Sequence, residues 1–148
     1  MAGRLSAAQQ REFDELHRTL SVICEHFDEV APQTGASWRA MLEVSVARLA
    51  DLRSLQTDLL EALQGYTPSQ KRELDGRLRR NAGVGLDTVQ ARELARIAAV
   101  RARGRITSDG QYCLLRGRIE VIWDDPGRAE EYAALRSLTE AYEERAAK

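Results

Sequence analysis

The sequence predicts an all-α fold, a bundle of about six helices built on a long antiparallel helical hairpin. Three observations carry that expectation. Apolar residues recur at three- and four-residue spacing with almost no period-two alternation, which assigns them to helix faces rather than to a pleated sheet. Proline stands only at positions 32, 68 and 126, between the periodic segments or at a first helical position, where its missing N–H costs nothing. Ser6 with Gln9, Thr67 with Gln70, Asp87 with Gln90 and Ser108 with Gln111 each suit a capping box, in which the first side chain accepts a backbone N–H and the Gln reaches back.

The first helix is expected over 7–30. Phe13, Leu16, Leu20, Ile23, Phe27 and Val30 step by three and four residues onto one stripe of about 120°. The second, over 38–64, starts after Ser37 and carries Trp38, Met41, Leu42, Val44, Val46, Leu49, Leu52, Leu55, Leu59, Leu60 and Leu63. Those residues spread over about 200°, which predicts a central helix contacted from more than one side, with Leu49 and Leu52 enclosed. The short PQTGA connection between the two long helices makes residues 1–64 the hairpin.

A shorter helix over 68–81 has only Leu74 and Leu78 as large apolar anchors. In the connector RLRRNAGVGLD, Asn81 and Gly83 suit a left-handed helix end, Gly85 a flexible step, and Asp87 the N-cap of a helix over 88–103. A carboxylate at that cap competes with phosphate for the same N–H groups, so the glycines read as a connector rather than a phosphate loop. Ala91, Ala95, Ala98, Ala99 and Ala102 lie opposite the larger apolar residues of that helix and would permit a second close contact. Helices over 109–123 and 128–146 follow. In the former Tyr112, Leu115, Ile119, Ile122 and Trp123 form the main stripe, while Leu114 and Val121 project elsewhere.

The 148 residues suffice for one domain, 1–148, comprising the hairpin of 1–64, a basic helical pair over 65–105 and a C-terminal helical hairpin over 106–148. With 43% hydrophobic and 30% charged residues the composition excludes disorder, and no run approaches the roughly 20 apolar residues of a membrane span. Without an apolar leader the chain is expected to be cytoplasmic, with Cys24 and Cys113 reduced and buried as small hydrophobes.

The formal net charge of −1 conceals an uneven distribution: −4 over 1–64, +6 over 65–105 and −3 over 106–148. Lys71, Arg72, Arg77, Arg79 and Arg80 on one helix, with Arg92, Arg96 and Arg103 on the next, form the candidate partner-binding basic face. Pairing with Glu93 and the acidic helix ends is the competing reading, and no aromatic interleaves the cluster to stack bases. Catalytic and metal-ligating sets are not expected. His17 and Cys24 share a helix side but stand two turns apart, about 10 Å along the axis, and His26 points away from them. Asp28/Glu29 and Asp124/Asp125 are solvated pairs at helix ends.

Two resemblances are local. Residues 106–144, through Ile106, Ser108, Tyr112, Leu135, Leu138, Tyr142 and Glu143, resemble the helical hairpin that precedes the DNA-binding domain of HigA-type antitoxins. No helix-turn-helix follows in the remaining four residues, so the resemblance implies protein binding in a toxin–antitoxin or defence-type assembly and not DNA recognition. Arg11 and His17 are similar to the Arg-x(4–6)-His signature of the helical HEPN ribonucleases, about 120° apart around the helix. The sequence-based expectation is therefore a non-enzymatic helical adaptor that binds another macromolecule, a protein first, without cofactor or membrane. Nucleic-acid binding through the basic face ranks second, a HEPN-like nuclease third, and self-association stays open.

Overall fold

A computed structural model describes residues 4–30, 37–45 and 48–148. Among them the fold is all-α, with seven α-helices: α1 Ala7–Val30, α2 Trp38–Ser45, α3 Leu49–Ala62, α4 Pro68–Asn81, α5 Leu86–Arg103, α6 Asp109–Ile122 and α7 Ala129–Ala146. Short 3₁₀ turns, Leu63–Gly65 and Pro126–Arg128, follow α3 and precede α7.

The helix expected over 38–64 is two helices. Arg48 has extended backbone (φ −139°, ψ 148°) as the N-cap of α3, while Val46 lies outside the described residues. The Val44-Ser45-Val46 run combines poor helix formers. A stripe spread over about 200° also faces a single direction only if the helix breaks and each part takes its own phase. In α2, Trp38 packs on Phe27 of α1 with ring centroids 5.7 Å apart and Leu42 is buried, but Met41 is exposed and Val44 is 86% exposed rather than in the core.

The break also changes direction. Glu12 of α1 pairs with Arg53 of α3, and His26 of α1 meets Tyr66 just beyond α3. These contacts advance together along both helices, so α3 lies beside α1 in the same direction and α2 makes the reversal. The expected two-helix hairpin of 1–64 is thus a three-helix unit. Leu52, Leu55, Leu59, Leu60 and Leu63 are buried, with Leu49 also enclosed, and α3 packs against α1, α2 and α6.

Two apolar cores result. The first joins α1, α2, α3 and α4 with the start of α5, through residues such as Leu20, Ile23, Leu52, Leu59, Leu74, Leu78 and Val89. The second joins the end of α5 with α6 and α7 through Ile97, Val100, Ile106, Leu115, Ile119 and Leu135. Helix α5 spans both, and α6 docks on α3 at Gly117, where an added Cβ would meet Thr57 Cγ2 at 2.5 Å.

The caps are partly local and partly tertiary. Ser6–Gln9 and Thr67–Gln70 form reciprocal boxes, and Ser37 Oγ accepts from Ala40 N at 3.0 Å. At α6 only half of the box forms: Ser108 Oγ accepts from Gln111 N, whereas the Gln111 side chain accepts from Thr107 N. Asp87 is not the cap of α5, which begins earlier with Gly85 at the N-cap, and Asp75 of α4 accepts from Leu86 N at 2.8 Å. Asp28 of α1 likewise accepts from Trp38 N and Arg39 N at the start of α2. Gly83 and Gly104 hold left-handed backbone (φ 74° and 76°) after α4 and α5.

In the C-terminal hairpin Tyr112 and Tyr142 stack with centroids 5.2 Å apart, Tyr112 donates to Glu143 at 2.6 Å, and Arg118 grips Glu131. Leu114 is buried and Val121 partly so, but Trp123, expected on the buried stripe, is 64% exposed. The alanine face of α5 is exposed. Cys24 is buried as expected, with its thiol pushed up to about 12 by desolvation and by Asp28, whereas Cys113 is exposed. Among the described residues no helix is long and apolar enough to cross a membrane.

Candidate functional site

The eight cations of the expected basic face do not form one face. On α4, Arg77 bridges Glu29 at 2.6 Å and Glu73 at 3.1 Å, and Arg79 bridges Asp75 at 3.0 Å and Asp87 at 3.3 Å. The Arg77 hydrogen bond pulls the Glu29 carboxyl below the usual carboxylate range. At Asp75, the Leu86 N–H and then Arg79 do the same. These two arginines are neutralised locally. Arg72 and Arg80 are exposed and Lys71 is half-buried, with no carboxylate partner among the described residues.

On α5 the arrangement differs. Arg92 and Arg96 line a cleft of about 260 Å³ against α1 and α3, together with Arg53, Glu12 and Glu15. Arg96 and Arg103 line a second recess of about 330 Å³ between α3, α5 and the start of α6, again with Arg53. Arg53 was not among the expected residues. It lies at the junction of the two clefts, fixed by Nε and Nη2 hydrogen bonds to Glu12 of 2.7–2.9 Å. Nothing in sequence spacing distinguishes Arg53 from the other arginines of the first 64 residues, because its partner Glu12 comes from α1 and its cleft neighbours Arg92, Arg96 and Arg103 from α5.

Behind the clefts runs a polar seam between the two cores. The Thr57 hydroxyl donates to Glu93 Oε1 at 2.7 Å, and Arg96 Nη2 stands 3.6 Å from the same oxygen. Burial pushes the Glu93 carboxyl above the usual carboxylate range, against the opposing pull of the Thr57 hydrogen bond and of Arg96 and Arg118; Asp58 adds a small upward push. A carboxyl whose pKa rises on folding holds its proton more tightly in the native state. Its contribution to stability is therefore full in acid and is lost as pH climbs from the ordinary pKa through the raised one. Glu93→Gln, which cannot ionise, should gain on the parent chain as pH rises from about 4 to 7. Denaturation midpoints of both proteins at the two pH values measure this, and Glu131, held low by Arg118, cancels because both proteins carry it. A difference independent of pH would remove Glu93 as an ionised group at the seam.

The remaining candidates lie elsewhere. His26, expected to point away, is fully buried beneath α4, with Nδ1 2.8 Å from the Tyr66 hydroxyl and Nε2 3.5 Å from Glu73 Oε1. Burial pushes Tyr66 up to about 12, so its hydroxyl stays protonated and serves as a joint between α1 and α4. His17 is half-buried, stacked on Phe13, and lines an open depression with Asp14 and Arg18 that Arg11 does not reach. Among the described residues no three His, Cys, Asp or Glu side chains gather into a metal-holding set.

Fold and site together define a small all-α bundle with an arginine-lined groove along one helix. The chain matches no family model and shows no significant similarity to a curated protein or to a solved structure.

Proposed function

We propose that the chain is a helical interaction module, an adaptor without chemistry of its own, that docks an acidic protein segment along the groove of α5. The observation that carries this is the alignment of Arg92, Arg96 and Arg103 over about 16 Å of one helix, facing Arg53 across two adjoining clefts. Guanidinium groups lining a cleft bind planar oxyanions in fixed bidentate geometry, which gives specificity as well as attraction. A protein segment is favoured over nucleic acid because Glu12 and Glu15 share the first cleft. A uniform polyanion would meet those carboxylates with repulsion, whereas a peptide can present both signs. The resemblance of α6 and α7 to an antitoxin hairpin adds a toxin–antitoxin or defence-type assembly as the setting of this partner.

Arg92 and Arg103 are exposed, so reversing both leaves the fold in place. Arg92→Glu with Arg103→Glu should abolish capture of the partner from a lysate of the native host while the melting temperature holds. The parent chain should not be retained on random DNA or RNA at physiological ionic strength. Tight retention that falls steeply with salt would favour a nucleic-acid accessory subunit instead. RNA cleavage lost in His17→Ala without a change in melting temperature would favour a nuclease.

A further inference from the structure

We infer that the recess between α3, α5 and the start of α6 is a binding site for a small phosphorylated molecule, with Arg53, Arg96 and Arg103 holding the phosphate. This goes beyond partner docking and holds whether or not the partner is a protein. The first support is the charge of the lining: three guanidinium groups and no carboxylate, unlike the neighbouring cleft, where Glu12 and Glu15 intervene. The second is the state of those donors. Arg96 Nη2 is shut off from solvent and has no hydrogen-bond acceptor, since the nearest carboxylate oxygen, on Glu93, is 3.6 Å away. That N–H is closed to a ligand, but with no hydrogen bond to Glu93 the guanidinium is not locked into an ion pair, and the side chain, 31% exposed, lines the recess with its remaining N–H groups free to meet an oxyanion.

The other two arginines are suited to the same task. Arg53 is held by Glu12 through Nε and Nη2, which leaves Nη1 to donate elsewhere from a guanidinium already fixed in place. Arg103 makes one long contact, Nη1 to Thr107 Oγ1 at 3.4 Å, and meets no carboxylate among the described residues. Asp51, Asp58 and Asp109 adjoin lining residues in sequence but are not part of the lining, and Asp109 accepts from the Tyr142 hydroxyl of α7. Ala50, Ala99, Val100 and Leu114 supply an apolar wall for the rest of the ligand. The volume of about 330 Å³ falls at the lower end of the range of small-molecule pockets.

Isothermal titration at constant ionic strength, with phenyl phosphate and inorganic phosphate as probes, tests this. Phenyl phosphate should bind saturably at one site per chain and more tightly than inorganic phosphate, because only the former uses the apolar wall. Arg103→Gln, an exposed substitution that leaves the core untouched, should weaken phenyl phosphate at least about tenfold, the loss of one charge-assisted contact. Arg80→Gln on α4 should leave it unchanged. Non-saturable heats, equal affinity for the two probes, or the same affinity in Arg103→Gln as in the parent chain would overturn the inference. Arg92 does not line this recess, so capture of the partner is also measured with Arg92→Glu alone: its loss there with phenyl phosphate binding intact, or the reverse, shows which reading fails.

Discussion

Leu52→Ala is expected to lower the unfolding free energy by roughly 2–5 kcal/mol, the largest effect of any single substitution considered. Leu52 has no solvent exposure and belongs to the core built by α1, α2, α3 and α4. Truncation removes its transfer free energy and leaves a space that neighbours fill only in part. Because α3 also carries α6, the loss should appear as one cooperative transition at lower denaturant concentration with unchanged slope. An almost unmoved midpoint would mean that α3 is not the central element.

Gly117→Ala should destabilise by about 1–3 kcal/mol, although alanine favours helix by about 1 kcal/mol at an ordinary site. The reversal of sign is steric. A Cβ on Gly117 would fall 2.5 Å from Thr57 Cγ2, a methyl on a β-branched side chain whose hydroxyl is tied to Arg53 O and to Glu93. Helices α3 and α6 would have to separate, loosening the contact between the two cores. Thr57→Ser removes that methyl and keeps the hydroxyl, so the double variant should recover much of the loss, with a coupling of about 0.5–3 kcal/mol. Thermal melts of the four proteins complete the cycle, and strictly additive effects would show that the close approach does not limit the packing.

The helical class, the course of α1, α4 and α7, and the local caps at Ser6, Ser37 and Thr67 were legible because each depends on residues within one or two turns. Apolar spacing likewise identified Leu20, Ile23, Leu52, Leu74 and Leu78 as buried, since a stripe at helical period has no other place to go. The candidate site was legible only in part. Arg92 with Arg96, and Arg96 with Arg103, line two adjoining clefts, but Arg77 and Arg79 are taken up by carboxylates, two of which, Glu29 and Asp87, lie on other helices. Arg53 completes the groove only because α3 turns to run beside α1.

Local chemistry alone determined that this chain forms helices, where most of them begin and which face of each is apolar, because propensity, capping and periodicity act over a few residues. The tertiary structure decided the rest. It broke the 38–64 segment at Arg48, replaced the Asp87 cap of α5 by Asp75, buried His26 under α4 and left Trp123 in solvent. Each of these follows from which helix lies against which, and that choice is set by the simultaneous burial of several faces whose partners are distant in sequence. An arginine is a solvated charge, half of an ion pair or a ligand donor according to what the neighbouring helix brings to it, and no spacing within its own helix carries that information.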